Sequence, residues 1–258
     1  MTEYLAGDNL NVTYVDADAH YNLAADVYTD NIHPNDAGHQ HIADAFLDAM
    51  NLYSIDLRQT GQTSSYGTGD DGAQLSGAAW PFPRTSENGD GTITDNLTGL
   101  TWTKEGNLPG GSMTWQQTLD YVASMNSGAG TYGYKDWRLP TVNELQSLVN
   151  AKQTNTAAWL NTSGGFGNLF LNVQPYYYWS STTYAADTTN GWFVNIGDGI
   201  VYANDKIAPI YVWPVRAGQS STADPSFPSN IWKTGQVTSY DANIPGRDDG
   251  ASQRGVSW

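Results

Sequence analysis

The chain has 258 residues, enough to bury a sizeable core as one large domain or two smaller ones, and its 11 Lys and Arg against 26 Asp and Glu give a formal charge of -15. Such a field repels polyanions, which argues against nucleic acid and heparin-like partners. Zero cysteines exclude a disulfide framework, a thiolate metal site and a cysteine nucleophile, and no apolar run of about 18 residues is present to span a bilayer.

Charged residues make up only 14%, whereas 10 Trp, 16 Tyr and 27 Gly accompany many Asn, Thr and Ser, a composition that points to an extracellular or cell-surface β-rich binding protein. Met1 to Tyr4 have neither the basic start nor the apolar stretch of a signal peptide, so a secreted parent is expected to carry its signal upstream.

In chain order, a short strand is expected at Asn11 to Val15. Beyond the turn-forming residues 30–34, a helix is expected over Asn35 to Met50, where Ile42, Ala45, Phe46, Ala49 and Met50 recur at helical spacing. These two elements cannot enclose a core, so residues 1–56 are expected to be the end of a larger domain. Asp30-Asn31-Ile32-His33-Pro34-Asn35-Asp36-Ala37-Gly38-His39 resembles the final block of the SGNH or GDSL hydrolases, serine esterases of α/β fold. The resemblance implies that Asp30 orients His33 and that His33 deprotonates a serine. No Gly-Asp-Ser block or oxyanion-donor block precedes Asp30, and Gly7-Asp8-Asn9 has Asn where the serine would stand. Asp30 and His33 are therefore expected to be catalytic only if a missing serine block completes them. His33, His39 and His41 do not converge as zinc ligands from one helix entry.

The next segment recurs. Thr60-Gly61-Gln62, Ser65-Tyr66, Asp70-Asp71-Gly72-Ala73, Gly77 and Trp80 return in the same order as Thr234-Gly235-Gln236, Ser239-Tyr240, Asp248-Asp249-Gly250-Ala251, Gly255 and Trp258, with four extra residues around Asn243 to Gly246. The period is that of a domain, not of a solenoid, so a second module is expected to open near Thr234. Residues 220–230, rich in Ser, Pro and Thr, read as a linker.

Between the two copies, Thr114 with Gln117 and Thr141 with Glu144 each form the Ser/Thr-x-x-Glu/Gln capping box that opens a helix. The first helix is expected to bury Trp115, Leu119, Val122 and Ala123, and the second Val142, Leu145, Leu148 and Val149. Strands are expected at Tyr178 to Thr183, Gly191 to Ile196, Ile200 to Ala203 and Ile210 to Arg216, with Gly197-Asp198-Gly199 turning one into the next. Two helices followed by a run of strands give an α+β class.

Asn88-Gly89-Asp90-Gly91-Thr92, Thr94-Asp95-Asn96-Leu97-Thr98-Gly99-Leu100-Thr101-Trp102, Asp136-Trp137-Arg138-Leu139-Pro140-Thr141, Glu144-Leu145 and Tyr178-Trp179-Ser180-Ser181-Thr182 resemble a bacterial family typified by the C-terminal domain of collagen-like adhesins. The resemblance implies a C-type-lectin-like fold with two helices and a mostly antiparallel sheet, and an adhesion or ligand-binding role without catalysis. Many members carry a cysteine in the first helix and another in the last strand; Val122 and Pro214 occupy the comparable positions here.

Calcium-dependent sugar lectins use Glu-Pro-Asn or Gln-Pro-Asp together with Trp-Asn-Asp, where this chain has Gln174-Pro175-Tyr176, so the calcium-bridged sugar mechanism is not expected and calcium stays open as the one candidate beside no cofactor at all. Asn88, Asp90 and Asp95 imitate a calcium loop, but Ser86 and Leu97 stand where an EF-hand wants Asp and Glu, and a hairpin turn is the plainer reading. Binding needs exposed aromatic and polar groups on a rigid scaffold. Tyr176, Tyr177, Tyr184, Asn190, Trp192, Tyr202, Asn204, Asp205 and Trp213, in or beside the last strands, are the expected contacts for a glycan or protein ligand. Alternation along the strand keeps Trp192 and Phe193 from facing the same side. The expected architecture is thus a hydrolase-like segment (1–56), a lectin-like module (57–219), a linker (220–230) and the first strand region of a second module (231–258). Two further roles follow: targeting of an esterase to its substrate, or self-assembly through residues 234–258, with Asp248 to Trp258 donated as a strand.

Overall fold

Asn88 to Gly91 form a tight reversal, with Gly89 and Gly91 at φ of 79° and 92°. A Cβ on Gly91 would lie 2.5 Å from the Tyr132 ring, so the turn demands glycine there for both conformation and space. This reversal joins β1 (Thr85–Glu87) to β2 (Thr92–Asp95), and the turn at Asn96 to Gly99 leads into β3 (Leu100–Thr103). The computed structural model describes residues 35, 39, 58–162, 170–217, 231, 233–244 and 247–252.

The chain divides into two compact units, Met1–Ile55 and Asp56–Trp258. In the first, the His39 N–H donates to the Asn35 carbonyl at 2.9 Å, a helical bond within the segment expected to be helical. Asp30, His33 and the strand expected at Asn11 to Val15 lie outside the described residues, as does the linker.

The second unit is α+β, with two antiparallel sheets and few, short helices. One sheet has the order β1-β2-β3-β7, where β7 is Val215–Ala217, and the other pairs β4 (Tyr177–Thr183), β5 (Asn190–Asn195) and β6 (Val201–Asp205) in sequence. Preceding them in the chain are α1 (Asp71–Gln74), α2 (Trp115–Met125), α3 (Val142–Gln146) and α4 (Thr156–Leu160). Both expected capping boxes are formed: the Thr114 and Thr141 hydroxyls accept from the N–H groups of Gln117 and Glu144, whose side chains reach back to the cap N–H.

The strand expected over Ile210 to Arg216 is shorter than that. Ile210 and Tyr211 make single bridges to Met113 and Tyr178, and regular pairing with β3 begins only at Val215. The segment thus joins the two sheets, bridging β4 at Tyr211 and extending the β1-β2-β3 sheet from Val215, and residues 212–216 along it are buried.

Two apolar clusters fill the interior. Trp102, Trp213, Phe170 and Tyr178 pack in one with Ile93, Leu100, Leu145 and Val215; Trp115, Trp179, Trp137 and Phe193 pack in the other with Leu119, Val122 and Leu139. Three buried indoles find carbonyl acceptors, Trp115 on Ser180 at 2.8 Å, Trp179 on Met113 at 3.1 Å and Trp213 on Thr103 at 3.0 Å, whereas the Trp102 Nε1 has none.

Candidate binding site

The motif residues that the sequence singles out most strongly prove to be architectural. Arg138 forks onto Glu144 through two bonds of 2.6 Å, and Glu144 also accepts from the Thr141 N–H at 2.8 Å, so one buried carboxylate caps α3 and holds the Trp-Arg-Leu-Pro segment. Arg216 of β7 donates to Asp136 at 2.7 Å. Arg84 forks onto Asp95 at 2.6 and 2.9 Å, and Asp95, fully buried, also accepts from the Leu97 N–H and the Thr98 hydroxyl.

Of the residues that imitate a calcium loop, Asp95 is buried and paired with Arg84. Asp90 accepts from the Thr92 N–H and hydroxyl and from the Tyr134 hydroxyl at 2.7 Å. Burial disfavours its charge, yet these bonds outweigh that effect and lower its pKa. Asn88 bonds to Thr92 and Thr94, closing the hairpin. Among the described residues no group of three or more His, Asp or Glu converges as a metal site.

The expected ligand contacts divide between the two faces of the β4-β5-β6 sheet. Pairing of Phe193 with Trp179 and Tyr202, and of Gly191 with Asn204, puts Tyr177, Phe193, Tyr202 and Asn204 on one face. Tyr202 is 67% exposed there, and its ring meets Phe193, which meets Tyr177 at 4.7 Å. Asn190, Trp192 and Asp205 share the opposite face, where the Trp192 ring meets Tyr184 edge-on at 5.2 Å and 83°. The Asn190 amide donates to Asp187, and Asp205 accepts from the Ile207 N–H, so both serve their own turns. Tyr176 is exposed and stacked on Tyr211. Trp213 is wholly buried between Phe170, Trp102 and Tyr178, and no part of its ring can reach a ligand.

Missing from the expectation is the partner that faces Tyr184 and Trp192. Residues 233–244 and 247–252 fold back on the module. No strand is found among their described residues; Asp249–Ser252 is a short helix, α5, where the start of a donated strand was expected, and residues 253–258 lie outside the described residues. The Thr183 N–H donates to Gln236 Oε1 at 2.6 Å, and the Thr182 hydroxyl to Asp249 Oδ2 at 2.8 Å. Burial pushes the Asp249 carboxyl up. Lys206, over the Trp115 ring at 3.9 Å and bonded to the Thr183 hydroxyl, lies 5.4 Å from the Tyr240 ring; burial lowers its pKa to about 8.

Between this returning segment and the sheet lies a cleft of 510 Å³. Thr182, Thr183, Tyr184 and Trp192 line one wall, Thr234, Gln236, Thr238 and Tyr240 the other, and none of its lining residues is charged. Sequence reasoning found Tyr184 and Trp192; the repeat itself was the signal for the opposite wall.

Residues 91–216 match the family model of the Lcl C-terminal domain. The match begins at Gly91, in the turn before β2, and ends in β7, so it takes in every strand but β1 and the motifs on which the resemblance rested, apart from Asn88 to Asp90. The Lcl-type segment supplies one wall of the cleft, and residues 234–240 supply the other from outside the matched span. Curated proteins yield no match to the chain. No helix among the described residues is long and apolar enough to cross a membrane.

Proposed function

We propose that this chain is an extracellular, surface-attached ligand-binding module of C-type-lectin-like fold, and that it takes an uncharged portion of a glycan in the cleft between the β4-β5 edge and the returning segment. The observation that carries the reading is the chemistry of the lining. Tyr184 and Trp192, set nearly at right angles, offer apolar faces on which a sugar ring can stack. Thr182, Thr183, Thr234, Gln236 and Thr238 surround them with neutral donors and acceptors. An anionic glycan would meet the field of a chain carrying -15, with no lining cation to offset it.

Screening the whole chain on a glycan array, then titrating the best neutral oligosaccharide against intrinsic tryptophan fluorescence, tests the assignment. Trp192→Ala is expected to weaken binding by about tenfold or more, the scale of losing one buried aromatic contact. Unchanged affinity in that variant would remove the cleft from consideration. A second reading, a protein ligand on the opposite sheet face, is favoured by the exposure of Tyr177 and Tyr202 beside Phe193; loss of binding in Tyr202→Ala but not in Trp192→Ala would select it. If 1–56 completes an esterase domain, the same module would direct that enzyme to its substrate.

A further inference from the structure

The two copies of the repeated segment fold alike but end in different surroundings. In each, the first Asp of the Asp-Asp-Gly triplet accepts from a tyrosine N–H at 2.6 Å, Asp70 from Tyr66 and Asp248 from Tyr240. The second Asp accepts from a threonine hydroxyl, Asp71 from Thr60 and Asp249 from Thr234. Gln62 and Gln236 each donate to a carbonyl two residues on. A Cβ on Gly72 would fall 2.0 Å from the Ser64 carbonyl oxygen, and one on Gly250 1.9 Å from that of Thr238, so both copies need the same close backbone crossing. Yet Tyr66 is 87% exposed and Asp71 half-buried, whereas Tyr240 is half-buried and Asp249 only 1% exposed.

What differs in sequence is the connection between the tyrosine and the Asp pair. The first copy uses Gly67-Thr68-Gly69; the second uses residues 241–247, four residues longer. The longer loop holds the side chains that grip α2. Asp241 accepts from Gln116 Nε2 at 3.0 Å, Gln116 Oε1 accepts from the Ala242 N–H at 3.2 Å, and Asn243 donates to Asp120 at 3.0 Å. Arg247 bridges Asp241 within the loop and Asp120 on the helix, the latter at 2.7 Å.

We infer that residues 241–247 are a joining element, which fastens the opening segment of a following module of this kind onto α2 and the end of β4 of the module before it. The loop's ionic and amide groups fit one helix face, that of Gln116 and Asp120, and so set the register of the joint. The first copy follows residues 1–56 instead of an Lcl-type segment and has Gly-Thr-Gly, without groups equivalent to Asp241, Asn243 or Arg247. A joint fixed in this way gives successive modules a set orientation in place of the free swivel that a Ser- and Pro-containing linker alone would allow.

The test is amide hydrogen exchange on the full chain and on two variants. In the first, residues 241–247 are replaced by Gly-Thr-Gly, the loop with which the first copy of the segment folds. The second is Gln116→Ala with Asp120→Ala, which touches only the half-exposed face of α2. In the unmodified chain, the amides of Thr183, Ala242 and residues 248–252 are expected to exchange slowly. Both variants are expected to speed that exchange by about tenfold or more, while amides of β2, β3 and β5 keep their protection. Rapid exchange of 234–252 in the unmodified chain would overturn the inference. So would full retention of protection after the loop is shortened, which would leave the docking to Gln236 and Asp249 alone. Neither outcome depends on a glycan being bound, so failure here and failure of the cleft assignment are separable.

Discussion

Arg84 and Asp95 show how an acidic, glycine-rich stretch can look like an ion site and be something else. Both side chains are nearly sealed from water, and their forked pair is completed by Leu97, Thr98 and the Ser147 carbonyl. Removing one member leaves the other charge buried without its partner, a loss of about 3–5 kcal/mol for such pairs. Asp95→Ala is therefore expected to lower the urea midpoint sharply, as far as about 3–5 kcal/mol of stability allows, and added calcium is expected not to shift the midpoint of the unmodified chain. A calcium-dependent rise that disappears in Asp95→Ala would restore the ion-site reading. At this scale the sequence was informative about residue type and mute about direction. Asp-x-x-Thr-Gly reads as a turn, and nothing within it reveals that Arg84, eleven residues earlier, points at the same carboxylate. Trp213 failed for a related reason: alternation along Ile210 to Arg216 assigns one side to water, but here both sides are protein.

The elements read most directly from sequence are those whose determinants are local. The capping boxes of α2 and α3 specify their own first turns, and Gly197-Asp198-Gly199 needs only a neighbouring strand on each side to make its hairpin. The returning segment was legible as a repeat but not as a wall of a cleft, because its docking rests on groups more than 50 residues away in Thr182, Thr183 and α2. Its hold on α2 is expected to depend on pH. Burial opposes ionisation of Asp241, yet bonds from Arg247, Gln116 and the N–H groups of Asn243 and Ile244 outweigh it and hold the carboxyl far below the usual carboxylate range. Stability from this group is thus fully present above the ordinary Asp value of about 3.9 and lost as pH falls below it, toward the lowered value in the docked state. Asp249 acts in the opposite sense: its raised pKa means that protonation relieves a buried charge before Asp241 is reached. Protection of 234–252, measured relative to the intrinsic exchange rate at each pH, is expected to rise slightly on mild acidification and then to fall below about pH 4. A loss of protection that sets in between pH 7 and 5 would show that Asp241 does not govern the joint.

For the whole molecule, charge and site chemistry pull in different directions, and that contrast can be measured. A surface carrying -15 makes any association with a charged partner strongly dependent on ionic strength, because exposed charges are screened over about 10 Å at 0.1 M salt. The cleft holds no charged lining residue, and its aromatic and hydroxyl groups act at contact distance. A neutral oligosaccharide seated against Tyr184 and Trp192 is therefore expected to show a Kd that changes by less than about twofold between 20 mM and 500 mM salt. Adhesion of the intact protein to a negatively charged surface is expected to strengthen over the same range, as screening reduces the repulsion. A steep salt dependence for the soluble ligand would mean that charged groups make the contact. Lys206, which lies 5.4 Å from the Tyr240 ring and is bonded to the Thr183 hydroxyl, would then have to enter the site from beneath the cleft wall. Lys206→Met separates these cases, since it would abolish a salt-dependent interaction and leave a stacking one in place.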